Sequence, residues 1–163
     1  MENLKDMHYV IIDIEGIALS KVRKLWPRRG RYSKIHNCSR KLAMITFNNE
    51  VKVIESQPCI PRKGLLQKEE ESFSYCRKYI HRLSYCPEQS ELRCFEIPKV
   101  VKNFLEERDI KIIFFKGGNL EKDLCHILKM ESFNLEEIGV GKAPCHDPLK
   151  EVIFYKEELN RLL

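Results

Sequence analysis

The sequence places two carboxylates at the end of an apolar run near the start of the chain. Asp13 lies within the run Tyr9–Ile14, whose other residues are Tyr, Val and Ile, and Glu15 follows directly after it. This composition is typical of a buried strand, and residues two apart on a strand point to the same side. A buried carboxylate is costly unless it is paired or binds a metal. The two acids therefore predict half of a metal site, and the rest of the chain must supply the other half.

A third acid lies on a predicted helix in the second half of the chain. Asp123 comes three residues after Leu120 and four before Ile127, which belong to the apolar stripe of that helix. Asp123 is therefore predicted at the border of the buried face, whereas Glu121 is expected to point outward. The alternative is a boundary acid that simply reaches solvent or pairs with a lysine.

A histidine and a fourth carboxylate lie close to the end of the chain. His146 stands in the Pro-flanked segment "APCHDP", and Glu151 follows five residues later, in the first turn of a predicted terminal helix. A lone histidine before a helix is more often a cap or a satisfied polar residue. Together with Asp13, Glu15 and Asp123, however, it fits the ligand or proton-transfer chemistry of a metal site.

The residues after the first acid pair are strongly basic. From Gly16 to Asn49 the chain contains nine Lys and Arg residues and no Asp or Glu, with Trp26, Tyr32 and His36 interleaved. Such a run is suited to a polyanion, and the alternative is a solvated basic loop. The residues predicted to contact nucleic acid in this run are Lys21, Arg23, Lys24, Arg28, Arg29, Arg31 and Lys34.

The composition predicts one soluble globular domain over residues 1–163, with 43% hydrophobic and 33% charged residues. No apolar run approaches the roughly 18 residues that a membrane helix needs. The seven cysteines show no framework spacing, and the N-terminus is not a signal peptide, which favours reduced thiols in the cytoplasm or nucleus. The pairs Cys125-His126 and Cys145-His146 leave a structural zinc site open as an alternative.

The apolar patterns predict an α/β domain whose sheet begins with antiparallel strands and adds strands that alternate with helices. The hairpin is joined at Asn48-Asn49, a favourable turn pair, and Asn119 is expected to cap the helix that carries Asp123. The predicted strands are Met7–Ile14, Leu42–Phe47, Val51–Glu55, Lys111–Phe115 and Phe133–Ile138. The predicted helices are Ile97–Glu107, Asn119–Met130 and Asp147–Leu163. Glu69–Leu83 is predicted as a helix or a helix followed by a loop, and Gln57–Gly64 as a Pro-containing connection.

These motifs in this order resemble the DEDDh 3′–5′ exonuclease family of the RNase H-like fold. The resemblance consists of D-x-E on the first strand, the helix segment "KGGNLEKDL" and the late segment "HDPLKE", and "YIHRLSYCPEQ" is similar to a His-Gly-Ile segment of the family. The chain departs from the pattern by having Glu151 where the family has Asp, and His81-Arg82-Leu83 without a glycine. Glu reaches about 1.5 Å further than Asp, so it still reaches a metal if its helix stands correspondingly further away.

The resemblance implies an RNase H-like mixed sheet with an antiparallel hairpin, flanked by helices. It implies two Mg²⁺ or Mn²⁺ ions and hydrolysis of phosphodiester bonds at the 3′ end of single-stranded RNA or DNA, with RNA favoured. Asp13 would bridge the ions, Glu15 and Glu151 would bind one, Asp123 would serve the other, and His146 would be the general base. His81 would contact the nucleic acid. The alternatives are a catalytically inactive RNase H-like module that binds nucleic acid or protein, and a zinc-binding regulator built on the Cys-His pairs.

Overall fold

A mixed sheet of five strands forms the centre of the described structure, a computed structural model that covers residues 6–18, 38–56, 92 and 96–162. The order across the sheet is β3-β2-β1-β4-β5. β1 pairs antiparallel with β2 and parallel with β4, so the sheet combines a hairpin with crossover connections. The strands are β1 (Tyr9–Ala18), β2 (Cys38–Thr46), β3 (Val51–Ser56), β4 (Ile112–Phe115) and β5 (Glu131–Asn134).

The predicted hairpin between β2 and β3 is confirmed, and its turn lies at the predicted asparagine pair. Asn49 has a φ of 67°, in the left-handed region that Asn tolerates better than most residues. Thr46 stabilises the turn, because its backbone carbonyl accepts from Asn49 N at 3.0 Å and its hydroxyl accepts from Glu50 N at 3.0 Å. The position of the turn could therefore be predicted from the local sequence.

Helices cover both faces of the sheet. On one face, α1 (Ile97–Glu107) and α2 (Asn119–Leu128) pack against the side chains of Val10, Ile12 and Ile14. On the other face, α3 (Pro148–Leu162) packs against Tyr9 and Ile11. The alternation of β1 side chains decides this division, since residues two apart face the same layer. Asp13 and Glu15 consequently share the face of Tyr9 and Ile11, toward α3.

The α/β class with a mixed sheet flanked by helices agrees with the prediction, and the exact limits of several elements differ. β1 continues to Ala18, beyond the predicted end at Ile14, because it stays paired with β2 as far as Cys38. The predicted strand Phe133–Ile138 is instead β5 followed by a 3₁₀ helix over Leu135–Ile138. Asn134 causes this change, since its side chain accepts from Glu136 N and begins the helical turn.

The start and end of α2 also differ from the prediction. Asn119 is the first helical residue rather than the cap, and Gly118 holds the cap position with no side-chain cap. The helix ends at Leu128 instead of Met130, because Lys129 takes a left-handed conformation with a φ of 54°.

The connection Gln57–Gly64, the helix Glu69–Leu83, His81 and the basic residues Lys21 to Lys34 lie outside the described residues. No helix in the described ranges is long and apolar enough to cross a bilayer.

Candidate metal centre

Two carboxyl groups meet directly between β1 and α3. Asp13 and Glu151 are both buried, although they lie far apart in the chain, and their side chains share a hydrogen bond. Two carboxylates can share a hydrogen bond only if one of them carries a proton. Apart from this contact between the two carboxyl groups, Asp13 Oδ2 and Glu151 Oε2 have no hydrogen-bond partner among the described residues. The pair therefore presents two buried oxygens that receive no hydrogen bond from any donor elsewhere in the described part of the protein.

Glu15 and His146 stand next to this pair. Ligand atoms of Glu15, His146 and Glu151 all lie within 4.8 Å of one another. Glu151 is buried, Glu15 is half-buried and His146 is exposed, so the group runs from the core to the surface. The geometry is that of a potential divalent-cation site with carboxylate and imidazole donors.

A buried lysine ties the segment that carries His146 to the sheet. Lys41 lies opposite Glu15 in the β1–β2 register, and its Nζ contacts Asp147 Oδ1 at 3.0 Å and Glu55 Oε1 at 4.0 Å. The carbonyl of Asp147 accepts from Glu151 N at 2.9 Å, which starts the first turn of α3. Lys41 and Asp147 thus hold the start of α3 against β2, close to the carboxylates of the site.

Glu121 is the acid of α2 that faces β1, and the prediction that it points outward is wrong. Glu121 is only 4% exposed, and its Oε1 accepts from the backbone N–H of Ile14 at 2.9 Å. Its charge also raises the pKa of Asp13. Apolar periodicity missed Glu121 because it counts an acid as outward-facing. The available signal was Gly117-Gly118, which allows a close approach at the start of the helix.

Asp123 is not brought to the same place as Glu121. Successive helical residues are rotated by about 100°, so side chains two positions apart point in nearly opposite directions. With Glu121 facing β1, Asp123 faces away from that strand, and it is half-buried. The structure thus brings together Asp13, Glu15, His146 and Glu151 from the predicted set, while α2 directs Glu121 rather than Asp123 toward them.

The burial of several acids in one region perturbs their protonation. Burial and the neighbouring carboxylates Glu151, Glu121 and Glu15 raise the pKa of Asp13 well above its usual range. Burial raises the pKa of Glu121 to about 7, and burial also raises the pKa of Glu151. The pKa of Tyr155 on α3 is raised by burial and by the charges of Glu151 and Asp13. Shifts of this kind are common at functional sites, where a bound cation would reverse them.

The raised pKa of Glu121 predicts that the metal-free protein is less stable at high pH. A group with a raised folded-state pKa stabilises the fold below its unfolded value of 4.5, and that stability is lost as the pH rises through about 7. At roughly 1.4 kcal/mol for each pKa unit, we expect the parent to lose about 2–3 kcal/mol more than Glu121→Gln between pH 4.5 and pH 8. Urea unfolding of both proteins in chelator measures the difference. Equal losses would show that Glu121 does not change its protonation on folding.

Of the two cysteine–histidine pairs, only His146 belongs to this site, and neither cysteine does. Among the described residues, the one grouping of potential metal ligands contains Glu15, His146 and Glu151 and neither Cys125 nor Cys145. Burial raises the pKa of the Cys125 thiol to about 11, which disfavours the thiolate that zinc requires. The neighbouring His126 is exposed, whereas Cys125 is buried, so the two side chains diverge. The described geometry gives the zinc alternative no support at these pairs.

The chain matches no family model, no curated protein and no solved structure. Its function is therefore inferred from the residues of the site and their arrangement.

Proposed function

We propose that the chain is a metal-dependent 3′–5′ exonuclease of the RNase H-like type that acts on single-stranded nucleic acid, with RNA favoured over DNA. The observation that carries this proposal is the convergence of Asp13, Glu15, His146 and Glu151 from β1, a loop and α3. The mixed sheet with an antiparallel hairpin and helices on both faces is compatible with the fold that the sequence motifs imply.

The residues fit a divalent cation such as Mg²⁺ or Mn²⁺. Apart from their contact with each other, Asp13 Oδ2 and Glu151 Oε2 are buried without a hydrogen-bond partner in the described structure, and oxygen ligands are those that both ions prefer. Glu15 and Glu151 would hold one ion with His146 beside it, and the proposal keeps the second ion that the resemblance implies. When bound, such ions lower the pKa of a water molecule and stabilise the charge that develops on the leaving oxygen.

The side chains of the site have distinct tasks under this proposal. Asp13 lies deepest, and a bound cation would offset the repulsion from the neighbouring acids that raises its pKa. His146 is exposed at the outer end of the group, where an imidazole can accept a proton from an incoming water molecule. Lys41 and Asp147 keep the loop with His146 near the carboxylates. Charge stabilisation is thereby assigned to the buried end of the site, and proton transfer to the exposed end.

The proposal is tested by incubating labelled single-stranded RNA and DNA with the purified protein and Mn²⁺, Mg²⁺ or chelator. We expect stepwise shortening from the 3′ end with either metal, more on RNA than on DNA, and none with chelator. Substrates blocked at the 3′ end should stay intact, which separates exonuclease from endonuclease activity. Intact substrates in every reaction with folded protein would contradict the proposal.

A catalytically inactive module that binds nucleic acid or protein is the second candidate. The hydrogen bond between Asp13 and Glu151 favours it, because a shared proton partly satisfies the two acids without any metal. Asp123 faces away from β1, and this also fits a site that has lost one of its metal ligands. Calorimetry distinguishes the two candidates, since the enzyme must bind Mn²⁺ at neutral pH and the inactive module need not.

The basic run after β1 is expected to contact the phosphates of the substrate. Neutralising Arg28, Arg29 and Arg31 should weaken binding and reduce the slope of log K against log salt by roughly 0.7 for each lost contact on a single strand. Fluorescence anisotropy with labelled oligonucleotide over a salt series measures the slope. The matched control neutralises three exposed lysines at Lys99, Lys102 and Lys111. A slope that changes equally in both variants would show only an effect of net charge.

A further inference from the structure

The end of β1 that carries the acids is paired with β2 on one side but not with β4 on the other. β1 pairs with β4 from Tyr9 opposite Ile112 to Ile12 opposite Phe115, where β4 ends, and its pairing with β2 continues. Ile14 therefore lies beyond the end of the β4 ladder. A buried backbone N–H without a partner costs about as much as a lost hydrogen bond. The acceptor that Ile14 N uses is Glu121 Oε1, at 2.9 Å.

The start of α2 is shaped to admit this carboxylate. Gly118 has a φ of 84°, and a Cβ at this position would overlap the carboxylate of Glu121. Gly117 before it also has a positive φ, of 57°. Two consecutive glycines thus let the chain turn from β4 into α2 so that the third helical residue reaches back to β1. Side chains larger than hydrogen at Gly118 would move Glu121 away from Ile14.

A glutamate at position 121 costs electrostatic free energy, whereas a neutral hydrogen-bond acceptor there would not. Glu121 is 4% exposed and lies near enough to Asp13 to repel it. A glutamine would offer Ile14 the same carbonyl-type oxygen without a negative charge. The carboxylate, however, makes a stronger, charge-assisted hydrogen bond and adds to the negative field of the site. Both effects are useful where a cation must be held between fixed ligands.

We propose that Glu121 is a positioning residue that fixes the end of β1 at Ile14 and thereby orients Asp13 and Glu15. Ile14 stands between these two acids in the chain, so holding its N–H sets the backbone of both. Ligands that are held in place before the ion arrives bind it more tightly, because less order must be gained on binding. The metal-related part of this inference rests on the proposed function, whereas the anchoring of Ile14 does not.

Two substitutions of Glu121 separate the hydrogen bond from the charge. Glu121→Ala should increase amide hydrogen exchange at Ile14 about tenfold or more, because the bond to a charged acceptor is lost. It should also weaken Mn²⁺ binding about tenfold by calorimetry. Glu121→Gln should keep the exchange protection of Ile14 and most of the Mn²⁺ affinity. The matched control is Glu157→Gln, an exposed glutamate on α3, which should change neither quantity.

Gly118→Ala provides a second route to the same result if Glu121→Ala does not fold. This variant leaves the carboxylate intact but displaces it and strains the backbone at a φ of 84°, so faster exchange at Ile14 is expected again. Unchanged exchange at Ile14 in a folded Glu121→Ala or Gly118→Ala variant would overturn the proposal. Faster exchange with unchanged Mn²⁺ affinity would overturn the link to the metal ligands. If the parent binds no Mn²⁺, the proposed function fails, and exchange at Ile14 still decides whether Glu121 holds the strand.

Discussion

Replacing Asp13 by asparagine should abolish hydrolysis while leaving the metal-free protein at least as stable as the parent. Asp13 is buried among three other acids, and its pKa is raised well above the usual range because folding disfavours its charge. Asparagine has nearly the same shape without that charge, so the repulsion disappears. The same change removes a ligand oxygen, and losing several kcal/mol of charge stabilisation lowers the rate by roughly 10³-fold.

The experiment compares three measurements on the parent and the Asp13→Asn variant: Mn²⁺ affinity by calorimetry, the rate of 3′ shortening, and urea unfolding in chelator at pH 8. We expect affinity to fall at least about 100-fold and the free energy of unfolding to stay equal or rise. Asp6→Asn is the matched control, because it makes the same chemical change at an exposed position. An Asp13→Asn variant that binds Mn²⁺ like the parent would remove Asp13 from the metal site.

Glu151 should respond to changes of charge and of length in different ways. Its carboxyl group reaches both Asp13 and Glu15 from the first turn of α3, so the helix stands at the distance that a glutamate needs. Glu151→Gln keeps the length and removes the charge, and we expect it to lose Mn²⁺ affinity about 100-fold and activity with it. Glu151→Asp keeps the charge but withdraws it by about 1.5 Å, so a smaller loss is expected.

Metal titration of the parent and both Glu151 variants decides between these effects. Glu157→Gln on the same helix is the control, because Glu157 is exposed and the change in charge is identical. Equal Mn²⁺ affinity in the parent and Glu151→Gln would exclude a ligand role for Glu151. Higher activity in Glu151→Asp than in the parent would mean that α3 moves closer to β1 when the metal binds.

Local patterns predicted the parts of the fold that local physics decides. The apolar run at Tyr9–Ile14, the hairpin at Asn48-Asn49 and the helix Ile97–Glu107 all follow from alternation, turn chemistry and helical periodicity. The same alternation predicted that Asp13 and Glu15 share one face. Element limits were less predictable, since β1 extends to Ala18 only because β2 stays paired with it.

Only some residues of the candidate site could be predicted from the sequence. Asp13, Glu15, His146 and Glu151 were predicted as site residues, and they converge because β1 and the start of α3 face each other across one layer of the core. Glu121 could not be identified in this way. A helix pattern says which residues are apolar, whereas the direction of Glu121 toward Ile14 depends on how α2 leaves β4 through two glycines with positive φ.

The sequence by itself determined the kinds of group available, namely carboxylates and an imidazole on elements of known type. Only the tertiary structure decided which of them meet, because side chains more than 100 residues apart are brought within hydrogen-bond distance by strand order and helix rotation. At about 100° for each helical residue, a helix rotation of about 200° would exchange Asp123 for Glu121. That rotation is set by the packing of Leu124 and Cys125 against the sheet, a property of the folded core that no short motif contains.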